Sequence, residues 1–489
     1  MIQETVIAAF LLVVLAGAVE PGASADSALV RAAWTLGPMA LIGVWCVWRV
    51  GLWGRQLDRG RLSAVDGAER TVVVARLLAL SWHAWSLFAW GWADAVRAMV
   101  GDLVLADELL ASSPPIVIVM VSIASFYAVE RRLREAVVRR ALLEGWPVPP
   151  LLSRWRYVWF WFRHAVAPVI LPVCLLAAWA ESVDRFWPTG GEGSSGETPG
   201  GTAEDWWAIA VQGAGVALIV ALGPWALTRV WPTIPLGAGE LRDRLRAVCE
   251  RNAVRVANIL LWRTGGTIHN AAVLGVLPRF RYILVTDGLI ERMPAPLLEA
   301  IAAHEVGHVR HRHLAWLAAS TIAGAMTLAS ALGWGAWGVL SWSAPRWHGS
   351  QEEFDALVEG VRLGVGLSTL MGAILWFGFV SRRMEWQADA FAAADLTRSE
   401  DPTALRVAPE AAGRVIHALG EVAMLAGIHP DRFMWRHGSI HTRQRKLGEL
   451  MGCDLAGMPP DRVVRKLKLG TIVLLALGAA AMFWLPGLG

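Results

Sequence analysis

Ala303-His304-Glu305-Val306-Gly307-His308 is the stretch around which the rest of the chain is read. It has the form H-E-x-x-H. On a helix, residues four apart share a face, so His304 and His308 point the same way. Two imidazoles at that spacing can hold one metal ion, most often zinc. Glu305 is turned about 100° from His304 by the 3.6-residue repeat. It can therefore reach a water held at the metal without being a ligand itself, the arrangement a zinc hydrolase needs.

The surroundings of that stretch are those of a membrane protein. Of 489 residues, 55% are hydrophobic and only 18% are charged, and the mean hydropathy is +0.45. A soluble chain carries about 25% charged residues and no long apolar runs. The net charge of +4 does not indicate a nucleic-acid partner, because the Arg residues cluster beside apolar runs. The four cysteines, Cys46, Cys174, Cys249 and Cys453, form no C-x-x-C pair and read as small buried hydrophobes.

A first apolar run covers 6–19. It reads either as a retained span or as a signal peptide cleaved near Ala23-Ser24-Ala25. Further spans are expected at 33–53, 72–92, 112–129, 157–179, 207–229, 314–342, 361–380 and 469–486, each near the roughly 20 residues that cross the hydrocarbon. The 54–70 loop carries Arg55, Arg59, Arg61 and Arg70. The 130–156 loop carries Arg131, Arg132, Arg134, Arg139, Arg140, Arg154 and Arg156. Alternate loops are acidic or neutral, with Asp102, Asp107 and Glu108 in one and a Gly/Ser-rich stretch at 190–197 in another. Basic loops lie in the cytoplasm, which puts 230–313 and 381–468 there too. Between spans, 241–252 reads as an amphipathic helix, 259–262, 271–276 and 282–286 as strands, and 297–313 as the helix carrying H-E-x-x-H. The expected architecture is a mostly α, polytopic membrane protein with a small cytoplasmic α+β zinc metallopeptidase domain. Its parts are an N-terminal multi-span region (1–230), the α+β part (231–313), a membrane hairpin (314–380), a cytoplasmic helical part (381–468) and a last span (469–489).

A third ligand is needed. The continuation H-x-x-G-x-x-H is absent, since position 311 is His and position 314 is Leu. The sequence Arg382-Arg383-Met384-Glu385-Trp386-Gln387-Ala388-Asp389 offers a carboxylate from a second helix. Glu385 can be the third ligand, and Asp389, four residues on, can fix the tautomer of a ligand histidine. The hairpin between His308 and Glu385 leaves and returns on one membrane face, so both motifs end at the same border.

These residues together resemble the membrane gluzincin peptidases of the HtpX and CaaX prenyl protease family, over about 240 to 450. The resemblance includes Asn270-Ala271, Val285-Thr286-Asp287-Gly288-Leu289, Arg383 and Ala388-Asp389-Ala390. It also includes a late His-Pro-x-x-x-x-Arg element, matched here by His437 and Arg443 with Gly438 in place of the proline. The resemblance implies one zinc ion per chain, a membrane-associated polypeptide substrate, and His437 or Arg443 as the donor to the developing oxyanion. Asn270 and Ala271 read as a substrate-binding strand, and equally Asn270 reads as a turn residue. His311 and His313 could extend the metal site, and read more readily as polar residues at a helix end near lipid headgroups. The expected function is a zinc endopeptidase of a bacterial-type inner membrane. Processing of prenylated C-terminal peptides and a sensor that cleaves a cytoplasmic regulator remain as alternatives.

Overall fold

A computed structural model describes residues 2–17, 26–101, 105–144, 152–186 and 203–484. The Ala23-Ser24-Ala25 site, Asp102, the 190–197 loop and the ends of the 6–19 and 469–486 runs lie outside the described residues. The chain divides into two compact units, Met1–Trp231 and Pro232–Gly489.

The first unit holds helices α1 (Ile2–Gly17), α2 (Ala28–Asp58), α3 (Ala64–Trp90), α4 (Trp92–Val100), α5 (Ala106–Glu144), α6 (Arg154–Trp161), α7 (Ala167–Phe186) and α8 (Ala203–Val230). A π-helical turn, Phe162–Val166, joins α6 to α7. Gly91, at φ 59°, ends α3 and opens α4. Small side chains let α2, α3 and α5 pack closely, with Cys46, Ala68, Ala75 and Ala79 all at 0% exposure.

The second unit begins with β1 (Thr233–Pro235), α9 (Glu240–Arg251), β2 (Asn258–Trp262), β3 (Ala271–Leu274), β4 (Tyr282–Thr286) and α10 (Asp287–Arg292). It continues with α11 (Ala295–Arg310), α12 (His313–Ser343), α13 (Gln351–Glu400), α14 (Pro409–Leu425), α15 (Ile440–Gly448) and α16 (Pro459–Trp484). The sheet order is β1-β2-β4-β3, with β2 and β4 parallel and the outer pairs antiparallel. The strand β3 therefore stands at an edge. Asp287 organises the approach to it by accepting from the backbone N–H of Thr264 (2.9 Å) and Gly265 (2.8 Å) and from the Thr264 hydroxyl (2.6 Å). Those bonds outweigh burial and lower the pKa of its carboxyl.

Seven helices among the described residues are long and apolar enough to cross a membrane: Ala28–Asp58, Ala64–Trp90, Ala106–Glu135, Arg154–Val183, Ala210–Val230, His313–Arg346 and Gln351–Glu400. They coincide with the spans expected from 33–53 through 361–380, and the chain is an integral membrane protein with a mostly helical fold. Three details depart from the sequence reading. The strand β1 was not anticipated, being only three residues long with a proline in it. The motif helix does not run to 313: α11 ends at Arg310, Arg312 turns left-handed at φ 55°, and α12 starts at His313. Finally, α13 is one unbroken helix from Gln351 to Glu400, so membrane hairpin and site-bearing segment share a single rigid rod.

Candidate metal centre

The site sits where α11 crosses α13, and small residues set the distance of that crossing. Ala303 and Ala388 are fully buried, and a Cβ added at Gly307 would meet Phe391 at 2.9 Å and the Ala388 Cα at 3.4 Å. The glycine inside H-E-V-G-H thus allows the two helices to approach until Glu385 faces both histidines.

The Nε2 atoms of His304 and His308 are 3.2 Å apart. Glu385 Oε2 lies 3.6 Å from His304 Nε2, and Glu385 Oε1 lies 3.7 Å from His308 Nε2. One donor atom from each residue falls within 4.8 Å of the others. A tetrahedral zinc with bonds of about 2.0–2.2 Å spaces its donors roughly 3.3–3.6 Å apart, so these three residues fit the ion by donor type and by spacing. Structural zinc sites close the fourth position with protein, whereas catalytic ones keep it open. Three protein donors are what a catalytic site uses.

Buried carboxylates surround the histidines and need counter-charges. Asp389, 1% exposed, lies 2.9 Å from His304 Nδ1 through Oδ1. Arg443, on α15, donates from Nε to Asp389 Oδ2 (2.9 Å) and from Nη2 to Asp389 Oδ1 (2.7 Å). Its Nη1 is 3.3 Å from Glu385 Oε2. His437 Nδ1 is 2.9 Å from Glu385 Oε1. Arg443 is thus directed at two carboxylates, and a planar guanidinium suits its bidentate grip on Asp389. Gly438 adopts φ 77°, which a proline, fixed near φ −65°, cannot take. The departure from the expected His-Pro element therefore has a backbone counterpart.

Glu305 carries the edge strand to the site: the Val273 N–H donates to its Oε2 at 3.2 Å. Burial raises the Glu305 pKa against the opposing pull of His304 and that N–H, the direction a general base acting near neutrality requires. Burial and the neighbouring His304 hold His308 well below the usual imidazole range. At His304, burial works against protonation but Asp389 outweighs it, and the pKa is raised. Asn270 is exposed at the start of β3, its backbone paired with Thr286, and Ala271 pairs with Val285.

A second set of residues joins His313, for which the sequence offered two readings, to Gln387 and Asp461, for which it gave no signal. His313 is buried, 3% exposed, rather than placed among headgroups. Its Nδ1 lies 2.9 Å from His308 Nδ1, and its Nε2 2.9 Å from Gln387 Oε1. Gln387 in turn donates to Asp461 Oδ1 on α16 at 2.7 Å. No Gly or Pro marks the turn at Arg312 that folds His313 back, so the local sequence carries no signal for it. His311 is half-buried and stacks on His313 with ring centroids 5.6 Å apart.

Two imidazoles one helical turn apart and a glutamate from a second helix could hold one metal ion, with a further glutamate beside the first histidine. The profile of Peptidase family M48 matches residues 245–444 of this chain, which contain every residue of the centre described above apart from Asp461. A protease HtpX homolog of Acaryochloris marina is 32% identical over 195 residues, 37% of this chain and 62% of that protein. One from Trichormus variabilis is 29% identical over 190 residues, 36% of this chain and 62% of that protein. Protease HtpX of Legionella pneumophila is 33% identical over 126 residues, 25% of this chain and 41% of that protein. The chain thus spans less than two thirds of the length of these relatives. Among solved structures, Ste24p from S. mikatae aligns over 86% of this chain and 98% of its own at 13% identity, with a TM-score of 0.43.

Proposed function

We propose that this protein is a zinc-dependent endopeptidase that hydrolyses peptide bonds of membrane-associated polypeptides at the cytoplasmic face of a bacterial-type inner membrane. The observation that carries the reading is the meeting of His304, His308 and Glu385, one donor atom of each within 4.8 Å of the others, with Glu305 beside them and bonded to the edge strand. The Arg-rich loops at 54–70 and 130–156 support the cytoplasmic side.

The register of β3 suggests how substrate is held. The Thr286 N–H donates to the Asn270 carbonyl and the Asn270 N–H to the Thr286 hydroxyl, so by antiparallel alternation the backbone groups of Ala271 and Val273 face the open edge, where Glu305 takes the Val273 N–H. A peptide added there as a further strand would lie along Glu305, with Asn270 at its end. Zinc, when bound, supplies Lewis-acid activation of a water and of the scissile carbonyl. Glu305 accepts a proton at its carboxylate and returns it to the leaving amine. His437, whose Nδ1 donates to Glu385, has Nε2 free to donate to the developing oxyanion when the ring carries both protons as an imidazolium. Asp389 orients His304, and Arg443 keeps both carboxylates charged and in place.

The test is Glu305→Gln in purified full-length protein, with unstructured β-casein as the probe. Cleavage is expected to fall on the order of 10³-fold while zinc stays near one per chain. Wild-type turnover by Glu305→Gln protein overturns the assignment.

A further inference from the structure

We propose that His313, Gln387 and Asp461 form a hydrogen-bonded relay by which helix α16 sets the tautomer and ring orientation of His308. The inference rests on the reading of His304, His308 and Glu385 as a metal centre. The Nε2 of His308 faces Glu385 and His304, so Nδ1 is its remaining nitrogen.

The protons along the relay can be assigned in order, starting from its far end. Asp461, as a carboxylate, only accepts, so the Gln387 amide NH₂ faces it, at 2.7 Å. The Gln387 carbonyl oxygen then faces His313 Nε2, at 2.9 Å, and that nitrogen must carry a proton. In a neutral ring this leaves His313 Nδ1 bare, an acceptor 2.9 Å from His308 Nδ1. His308 Nδ1 must then hold the hydrogen, and its Nε2 keeps the lone pair a cation needs. Every donor meets an acceptor, and the chain ends on a negative charge. The break at Arg312 makes this possible. In a continuous helix, five residues would put His313 about 140° around from His308, but the left-handed Arg312 starts a new helix that turns His313 back.

The two ligand histidines are thus oriented by different means. The carboxylate of Asp389, itself gripped by Arg443, faces His304 directly. His308 is reached through two neutral side chains, His313 and Gln387, that are 3% and 4% exposed, from an aspartate in the first turn of α16. His313, Gln387 and Asp461 are positioning residues, acting on the metal through His308.

The experiment measures zinc affinity of purified full-length protein in detergent by competition with a chromophoric chelator, together with the visible spectrum of the cobalt-substituted form. Asp461→Leu and Gln387→Leu are each expected to weaken zinc about 10- to 100-fold and to shift the cobalt bands. The double variant should be no weaker than Gln387→Leu alone, because both changes cut the same chain. Asp461→Asn keeps a carbonyl acceptor and should retain wild-type affinity. Lys468→Met removes a different bond of α16, Nζ to the His311 carbonyl at 3.0 Å, and should also leave zinc affinity at the wild-type level. Wild-type affinity and spectrum in Asp461→Leu overturn the relay, as does a loss in Lys468→Met equal to that in Asp461→Leu, which would make α16 a simple clamp. Zinc-free wild-type protein overturns the metal centre itself rather than the relay alone.

Discussion

Both units of the molecule bury polar side chains, yet they do so differently. In the first unit the described buried groups form small sets that do not share one centre, and His83 has neither ring nitrogen hydrogen-bonded. Arg76, 7% exposed, donates from Nε to the Ser122 hydroxyl at 3.0 Å. Arg97 pairs with Asp107 at 2.9 Å, and His83, on α3, is fully buried. In the second unit the buried groups from α11, α13 and α15 converge on the two ligand imidazoles and Glu385. Burial of charge is costly in either place. What separates a site from a packing feature is convergence: several costs incurred within a few ångströms, leaving metal-ligand atoms directed at a common point.

Six variants, in order of expected effect, would break or sharpen that contrast. His308→Ala or Glu385→Ala removes one of three donors, and zinc content of the purified protein should fall from one per chain to a trace, with β-casein cleavage lost. Arg443→Met leaves Asp389 and Glu385 buried without their cation, and thermal unfolding should show a loss of about 3–5 kcal/mol. Arg443→Lys should not restore it, because an ammonium cannot make the bidentate bonds. Gly307→Ala places a methyl group 2.9 Å from Phe391 and forces α11 from α13. A stability loss of about 1–3 kcal/mol should accompany weaker zinc binding. His83→Leu, at a group outside any convergence, should leave zinc content and cleavage at wild-type levels; a loss of zinc there would erase the distinction between the units.

Much of this arrangement was legible in the sequence because it is written in local periodicities. Apolar runs near 20 residues marked the spans, the i, i+4 spacing put His304 and His308 on one face, and the same spacing linked Glu385 to Asp389. The hairpin logic then brought two distant motifs to one site. What was hidden depends on tertiary context. Nothing in Arg310-His311-Arg312-His313 signals a left-handed residue, so His313 was assigned to the wrong surroundings. Gln387 sits between two residues with obvious roles, and its own partner, Asp461, is 74 positions away. Arg443 was recognised by its spacing from His437, but whether its guanidinium faces substrate or carboxylates is decided by where α15 docks, which no spacing encodes. The strand β1, three residues with a proline, is too short for any alternation to show.

The central claim is that three side chains from two crossing helices hold one zinc ion. X-ray absorption at the zinc edge of purified full-length protein tests it most directly. The structure predicts about one zinc per chain with two imidazole nitrogens and a carboxylate oxygen at about 2.0–2.2 Å, and collapse of that shell in His304→Ala and Glu385→Ala. A shell without imidazole, a sulfur ligand from one of the free cysteines, or a wild-type shell surviving in Glu385→Ala would contradict it.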